Sequence, residues 1–79
     1  MTGANAELAR LEALAEAACE AMYEARPPAV KDFCDDAMRY FGEAIVAAER
    51  GNSTADVERL IRRRGHIWQV YTHQFRGIG

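Results

Sequence analysis

Apolar residues in the first third of the chain recur at alternating steps of three and four positions. Such a repeat places the apolar side chains on one face of an α-helix. The members of this face are Leu8, Leu11, Ala15, Ala18, Met22 and Ala25. The opposite side carries four glutamates, which are Glu12, Glu16, Glu20 and Glu24. The pattern predicts a first helix over residues 5–25, with Asn5 as its N-cap.

The middle third repeats this spacing between two helix breakers. Arg26 precedes a proline and is therefore kept out of helical geometry, whereas Pro28 is tolerated in the first turn of a helix. A second helix is predicted over residues 28–50, and Gly51 is the residue expected just beyond its C-terminus. Its apolar face comprises Val30, Cys34, Ala37, Phe41, Ala44 and Ala48. The residues that widen this face are Phe33, Met38, Tyr40 and Ile45.

The last third predicts a helix over residues 54–76. Ser53 and Asp56 resemble a capping box in which aspartate replaces the usual glutamate. The helical repeat here runs through Val57, Ile61, Arg64, Trp68, Tyr71 and Phe75. Leu60 and Ile67 broaden the same apolar face. This face therefore contains one charged member, Arg64.

The three predicted helices have similar lengths and short connections, which favours antiparallel neighbours. We expect one all-α domain over residues 1–79, built as a three-helix up-down-up bundle or helical hairpin array. The second helix has the widest apolar arc, so it should lie centrally or at a dimer seam. Because 79 residues form only a small core, we expect the chain to assemble as a homodimer.

Charge is divided unequally along the chain, whose net charge is −2. Residues 1–50 contain ten acidic and five basic residues, whereas residues 51–79 contain two acidic and five basic ones. The basic excess forms a possible anion-binding or nucleic-acid-binding stripe on the third helix. Its members are Arg59, Arg62, Arg63, His66, His73 and Arg76. The acidic first half would repel phosphates, so nucleic-acid binding is the alternative function and not the leading one.

The two cysteines fall at one level of the first helical hairpin. If the chain reverses between Arg26 and Pro27, Cys19 faces Cys34. Two buried reduced thiols are the simpler interpretation in a reducing compartment, and a thiol or metal switch is the alternative. Two cysteines do not make a zinc site, and His66 and His73 are about 10 Å apart along their helix, too far for one metal ion. We therefore expect no metal site and no cofactor.

Arg64 needs a partner if it lies in an apolar face, because an unpaired buried charge is costly. Glu12 is the first candidate and Glu43 the second, while Tyr40 or Phe41 could stack on the guanidinium. Arg64 is either an anion or ligand anchor, or a structural residue that reaches the bundle edge. Two mid-helix glycines at nearly the same level, Gly42 and Gly65, indicate either close backbone approach or tolerated surface positions.

The sequence shows no catalytic motif and no phosphate-binding loop, and we expect no signal sequence and no membrane-spanning segment. We expect a cytoplasmic, non-enzymatic protein that acts as a regulator or adaptor through protein–protein contacts. Its partners would be a second copy of itself and another protein, with no membrane contact. The aromatic half of the third helix is the expected interface, and the residues that form it are Arg64, Trp68, Tyr71 and Phe75.

Overall fold

The computed structural model describes residues 2–75, and the side chains of residues 6–74. Three α-helices span Thr2–Glu24 (α1), Pro27–Arg50 (α2) and Thr54–Val70 (α3), and one π-helical turn follows over Tyr71–Phe75. The described residues contain no β-strand. The predicted all-α fold of three packed helices is thus confirmed, while assembly as a homodimer stays a prediction. Two bounds differ from the prediction by more than one residue. α1 begins at Thr2, so the predicted N-cap Asn5 lies inside the helix, and the α-helical geometry of the third element ends at Val70.

The first connection follows from the two prolines. Arg26 has φ −76° and ψ 156°, the extended conformation that a residue before proline prefers. Pro27 begins α2 one residue earlier than predicted, because the first turn of a helix does not need the N–H that proline lacks. The reversal is therefore tight, and α1 and α2 pack as an antiparallel hairpin.

Asn52, and not Gly51, adopts the left-handed conformation in the second connection. Asn52 has φ 57°, whereas Gly51 has φ −87°. The Asn52 N–H donates to the Glu49 carbonyl at 3.0 Å, and the Ser53 N–H donates to the Ala48 carbonyl at 3.0 Å. These two bonds form a Schellman motif, in which asparagine is the second choice after glycine. The prediction that Gly51 lies just beyond the end of α2 in the left-handed conformation was wrong, because the next residue, Asn52, adopts that conformation.

The α1–α2 seam contains most of the core. Both predicted apolar faces are confirmed, and Phe41 is fully buried at the centre. Alanine is frequent in this seam, which allows the two helices to lie close together. The buried residues of α1 are Leu8, Leu11, Ala15, Ala18, Cys19 and Met22. Those of α2 are Val30, Cys34, Ala37, Phe41, Ala44 and Ala48.

The core-facing side of α3 differs from the prediction. Leu60 and Ile67 are fully buried, whereas Ile61 is 54% and Trp68 48% exposed. Val57 and Tyr71 of the predicted face remain packed against the core. The buried side of α3 is therefore rotated toward Leu60 and Ile67 by about half of the 100° step between successive residues. Arg64 lies one turn from both Leu60 and Ile67, and it stays at the surface because its side chain reaches over α2 to the Met38 carbonyl. This placement avoids the cost of burying an unpaired guanidinium.

Candidate protein-interaction surface

The rotation of α3 leaves an apolar surface beside α2, which we call the α3 patch. It comprises Ile61, Arg64, Gly65 and Trp68 of α3 together with Met38 of α2. Four of these residues line a shallow pocket of ≈ 310 Å³: Met38, Arg64, Gly65 and Trp68. Ile61 lies seven residues before Trp68, two helical turns away on the same side of α3. The patch joins an exposed indole, an aliphatic side chain and a guanidinium.

The indole of Trp68 is held from one side by Tyr71. Their ring centroids are 5.6 Å apart and the planes are tilted by 32°. Tyr71 is itself half-buried and packs against the core, so it links the exposed indole to the interior. The π-helical turn begins at Tyr71, and such turns are frequent at functional sites. The side chain of Phe75, a predicted interface residue, lies outside the described residues, as does Arg76.

Arg64 does not pair with any of its predicted partners. Its Nε donates a hydrogen bond to the Met38 carbonyl at 3.1 Å, and the described carboxylates make no ion pair with its guanidinium. The expected pairing with Glu12 was wrong, because Glu12 accepts hydrogen bonds from Arg59 instead. The predicted pairing with Glu43 and the stacking on Tyr40 do not occur either, and the guanidinium over the Tyr40 ring is that of Arg39, at 4.5 Å from the ring centroid.

Two arginines of the predicted basic stripe hold α3 against α1. Arg59 donates to both carboxylate oxygens of Glu12 at 2.6 and 3.0 Å. Arg63 donates to both carboxylate oxygens of Glu16 at 2.9 and 2.8 Å. Asp56 accepts a further hydrogen bond from Arg59 at 3.0 Å. Because these carboxylates neutralise two members of the stripe, its positive charge is interrupted.

The ion pairs also shift the pKa values of two carboxyl groups. The hydrogen bond from Arg63 lowers the pKa of Glu16 below its usual value, against an opposing effect of burial. The pKa of Asp56 is lowered by the hydroxyl of Ser53, which donates to it at 2.7 Å, and by Arg59. Ser53 thus uses its side chain on the carboxylate and not on a backbone N–H of α3, so the predicted capping box is incomplete.

The other described basic residues of the predicted stripe do not pair with carboxylates of the described chain. Arg62 is exposed and makes no ion pair with a described carboxylate. His66 is exposed, and its Nδ1 lies 3.5 Å from an η-nitrogen of Arg63. His73 is exposed in the π-helical turn. Among the described residues, the unpaired basic surface is therefore smaller than the stripe that the sequence predicted.

Cys19 and Cys34 are free, buried thiols of the α1–α2 seam. Burial raises the pKa of the Cys19 thiol to about 11, with a smaller contribution from Glu16. Burial is also the main cause of the raised pKa of Cys34. Since the thiolate is the reactive form, both cysteines are poorly placed for nucleophilic or redox chemistry in this conformation.

Gly42 and Gly65 do not mark a close approach between helices of this chain. A Cβ atom built on either residue would meet no heavy atom within 4 Å. Of the two interpretations, a close backbone approach is therefore absent at both positions within the described chain, and tolerated open positions remain. Gly65 instead leaves open space in the middle of the α3 patch.

Ile61 was predicted on the apolar face of α3 but is exposed, whereas Met38 is partly buried against the core, as its predicted place beside the apolar face of α2 implies. The available signal was the shared spacing of Glu12 and Glu16 on α1 and of Arg59 and Arg63 on α3. Each pair is four residues apart, which is one helical turn. Glu20 and Glu24 continue the same spacing, so this match is not unique and the sequence alone does not orient α3.

A second groove lies between α1 and α2, on a part of the surface where sequence reasoning predicted no site. It measures ≈ 410 Å³ and combines apolar and charged residues: Glu7, Leu11, Glu43, Val46, Ala47 and Arg50.

In the described part of the chain, no group of three or more histidine, cysteine, aspartate or glutamate side chains is arranged to hold a metal ion. Within residues 2–75, no helix has the combination of length and apolarity needed to cross a lipid bilayer.

Comparison with known proteins identifies no relative of this chain. The chain matches no protein-family model, no curated protein and no solved structure.

Proposed function

We propose that this protein is a small, non-enzymatic regulator or adaptor of the cytoplasm that binds another protein through the α3 patch. The observation that carries the proposal is the exposure of Ile61 and Trp68, 54% and 48%, on one side of α3. Large exposed apolar side chains that share one side of a helix are typical of interaction sites. Tryptophan, arginine and methionine are also the residue types enriched at protein interfaces.

The preorganisation of the patch supports this function. Trp68 packs beside the half-buried ring of Tyr71, and Arg64 is tied to the Met38 carbonyl. Side chains that are already restrained lose less conformational entropy when a partner binds. The α3 patch therefore presents two potential anchor residues in an ordered arrangement.

The chemistry of the described residues favours binding over catalysis. The shifted carboxyl pKa values belong to Glu16 and Asp56, whose partners are arginines of the α1–α3 contact. Both cysteine thiols have raised pKa values and lie in the core. These shifts are explained by structural ion pairs and burial, so they supply no nucleophile and base at the patch.

Self-association is a further part of the proposal. The fully buried side chains larger than cysteine are few among the described residues: Phe41, Met22, Leu60 and Ile67. A core of this size stabilises a single chain only modestly, so burial of additional surface between two copies would add stability. Sedimentation equilibrium should show a dimer, and a monomer at all concentrations would contradict this part.

The protein-binding function can be tested with two matched substitutions. Ile61→Asp places a carboxylate in the α3 patch, and Val46→Asp does so at a similarly exposed aliphatic residue on α2. Affinity purification from the source cells, with quantitative mass spectrometry, should recover a partner with the wild type and Val46→Asp and lose it with Ile61→Asp. Both variants must retain the wild-type helical circular dichroism. Equal recovery with both variants would show that the α3 patch is not the interface.

A further inference from the structure

We propose that the α3 patch binds an acidic amphipathic helix, whose apolar side chains contact Ile61 and Trp68 and whose carboxylates bind Arg62 and Arg64. This inference rests on the proposed protein-binding function and specifies the chemistry of the partner. Three features carry it: the distribution of ion pairs along α3, the spacing of the exposed apolar residues, and the charge at the edges of the patch.

The arginines of α3 fall into two groups. Arg59 and Arg63 are satisfied by carboxylates of α1. Arg62 and Arg64 make no such pair in the described part of the chain, although the chain has more acidic than basic residues. Glu58 is one turn before Arg62 and is a possible competitor, but the two form no ion pair in the structure. Two guanidinium groups are thus available to carboxylates from outside.

These two guanidinium groups border the apolar surface on opposite sides. Arg64 lies in the pocket with Met38 and Trp68, next to α2. Arg62 precedes Gly65 by three residues, so its side chain lies along the outer edge of the patch. A guanidinium binds a carboxylate through two parallel hydrogen bonds. A ligand that places carboxylates on both sides of an apolar stripe therefore matches the patch.

A helix is the form of partner that fits the spacing. Ile61 and Trp68 are seven residues apart, or about 10.5 Å along α3. An amphipathic helix presents apolar side chains at the same intervals, which is a common mode of peptide recognition. Gly65 lies between the two anchors and has open space beyond its Cα. The backbone of a partner helix could approach α3 closely at this position.

Charge disfavours the two other occupants. In a two-fold contact the same patch meets itself, which would bring Arg62 and Arg64 of both copies together and create repulsion. A nucleic acid would need a row of available cations, but Arg59 and Arg63 are already neutralised by Glu12 and Glu16. An acidic apolar helix satisfies both the charged and the apolar parts of the patch.

Trp68 provides the readout because it is the chain's single tryptophan and is half-exposed. The probe is a synthetic peptide of about 16 residues, held helical by a side-chain crosslink, with leucine at i, i+3, i+7 spacing, glutamate on both flanks of the leucine stripe and alanine elsewhere. The matched control has lysine at every glutamate position. The glutamate peptide should shift Trp68 emission to the blue, and the lysine peptide should leave it unchanged.

Substitutions then test the two arginines. Arg62→Gln combined with Arg64→Gln should weaken binding of the glutamate peptide by about tenfold, since each exposed ion pair contributes up to about 1 kcal/mol. Arg62→Gln alone should weaken it by a few-fold and leaves the Arg64 hydrogen bond to Met38 intact. Arg26→Gln removes an exposed arginine outside α3 that has no ion pair to a described side chain, and it should have no effect.

Four outcomes would overturn the inference, and they separate it from the proposed function. Equal binding of both peptides, abolished by Ile61→Asp, would leave α3 as an interface but refute the acidic partner. A Trp68 shift that depends only on protein concentration would assign the patch to a second copy. A shift with single-stranded DNA but with neither peptide would refute both proposals. No shift with any probe at millimolar concentration would also contradict the acidic helix.

Discussion

The α1–α2 seam and the α3 contact are stabilised by different physical interactions. The seam is continuous and apolar, with alanines and two cysteines around the fully buried Phe41. α3 buries only Leu60 and Ile67 completely among its described residues, and two arginine–glutamate pairs join it to α1. A continuous apolar seam thus joins α1 and α2, whereas α3 is held by fewer buried side chains and leaves Ile61 and Trp68 exposed.

The largest expected effect is in the seam. Phe41→Ala removes a fully buried aromatic ring that lies between the helices, and it should lower the free energy of unfolding by about 3–5 kcal/mol. This loss is comparable with the total stability of a domain of this size, which is on the order of 4–12 kcal/mol. Denaturant titration followed by circular dichroism would measure it. A loss below 1 kcal/mol would contradict the central role of the seam.

The next effect should be confined to α3. Ile67→Ala leaves the α1–α2 seam intact and should cost about 2–4 kcal/mol. Hydrogen exchange should then accelerate in α3 and the following turn more than in α1 or α2, because local opening requires only the loss of the α3 contact. Equal acceleration in all three helices would show that the hairpin and α3 unfold as one unit, and the distinction between the two regions would then be wrong.

Gly65→Ala should stabilise the protein. Alanine is favoured over glycine inside a helix by about 1 kcal/mol, and the added methyl group meets no atom within 4 Å. Gly42→Ala provides the matched change on α2, where the space is also open. Thermal unfolding should show an increased melting temperature for both variants. A decrease for Gly65→Ala alone would indicate that the α3 patch is already occupied, for example by a second copy.

The ion pairs should have smaller effects. A double-mutant cycle with Glu16→Gln and Arg63→Gln should give a coupling free energy of about 0.5–1 kcal/mol, because both side chains are partly exposed. The coupling should decrease as salt is added, since ions screen exposed charges. A coupling that is independent of salt would contradict an electrostatic contact between α1 and α3.

Acid should weaken the ion pair of Glu16 between α1 and α3, and the hydrogen bonds of Asp56 within the first turns of α3. The pKa values of Glu16 and Asp56 are lower in the folded state than their usual values near 4. Their stabilisation is therefore complete above these usual values and is lost as the pH falls through the lower folded-state values. Urea unfolding at successive pH values should show this loss, and Glu16→Gln should reduce it. An unchanged pH profile in Glu16→Gln would exclude a contribution from this pair.

Most of the hairpin could be predicted from the sequence, but the orientation of α3 could not. In α2 one apolar face is clearly dominant, and every residue predicted on it is buried. In α3 the sequence allows two faces, one through Ile61 and Trp68 and one through Leu60 and Ile67. Hydrophobic spacing alone does not distinguish them, because the two faces are related by a rotation of one residue.

Part of the candidate interface was predicted from the sequence, but the contacts that its residues make differ from those expected. Trp68 was expected at an interface, and the structure places it at the surface beside Arg64. Arg64 was expected either to anchor an anion or ligand or to reach the bundle edge as a structural residue, and its exposed side chain donates to the Met38 carbonyl. Met38 comes from α2, so its place in the α3 patch depends on interhelical packing that one helix's sequence does not contain.

The sequence by itself determined where the helices lie and which sides of α1 and α2 are buried. These features follow from local terms, namely helical spacing, proline geometry and the exclusion of apolar groups from water. The tertiary structure decided the rotation of α3, because the burial of Leu60 and Ile67 in the shared core outweighs the ion pairs that Arg59 and Arg63 form with carboxylates 47 residues earlier in the chain. This packing leaves Ile61, Trp68 and two arginines on the surface that we propose as the binding site.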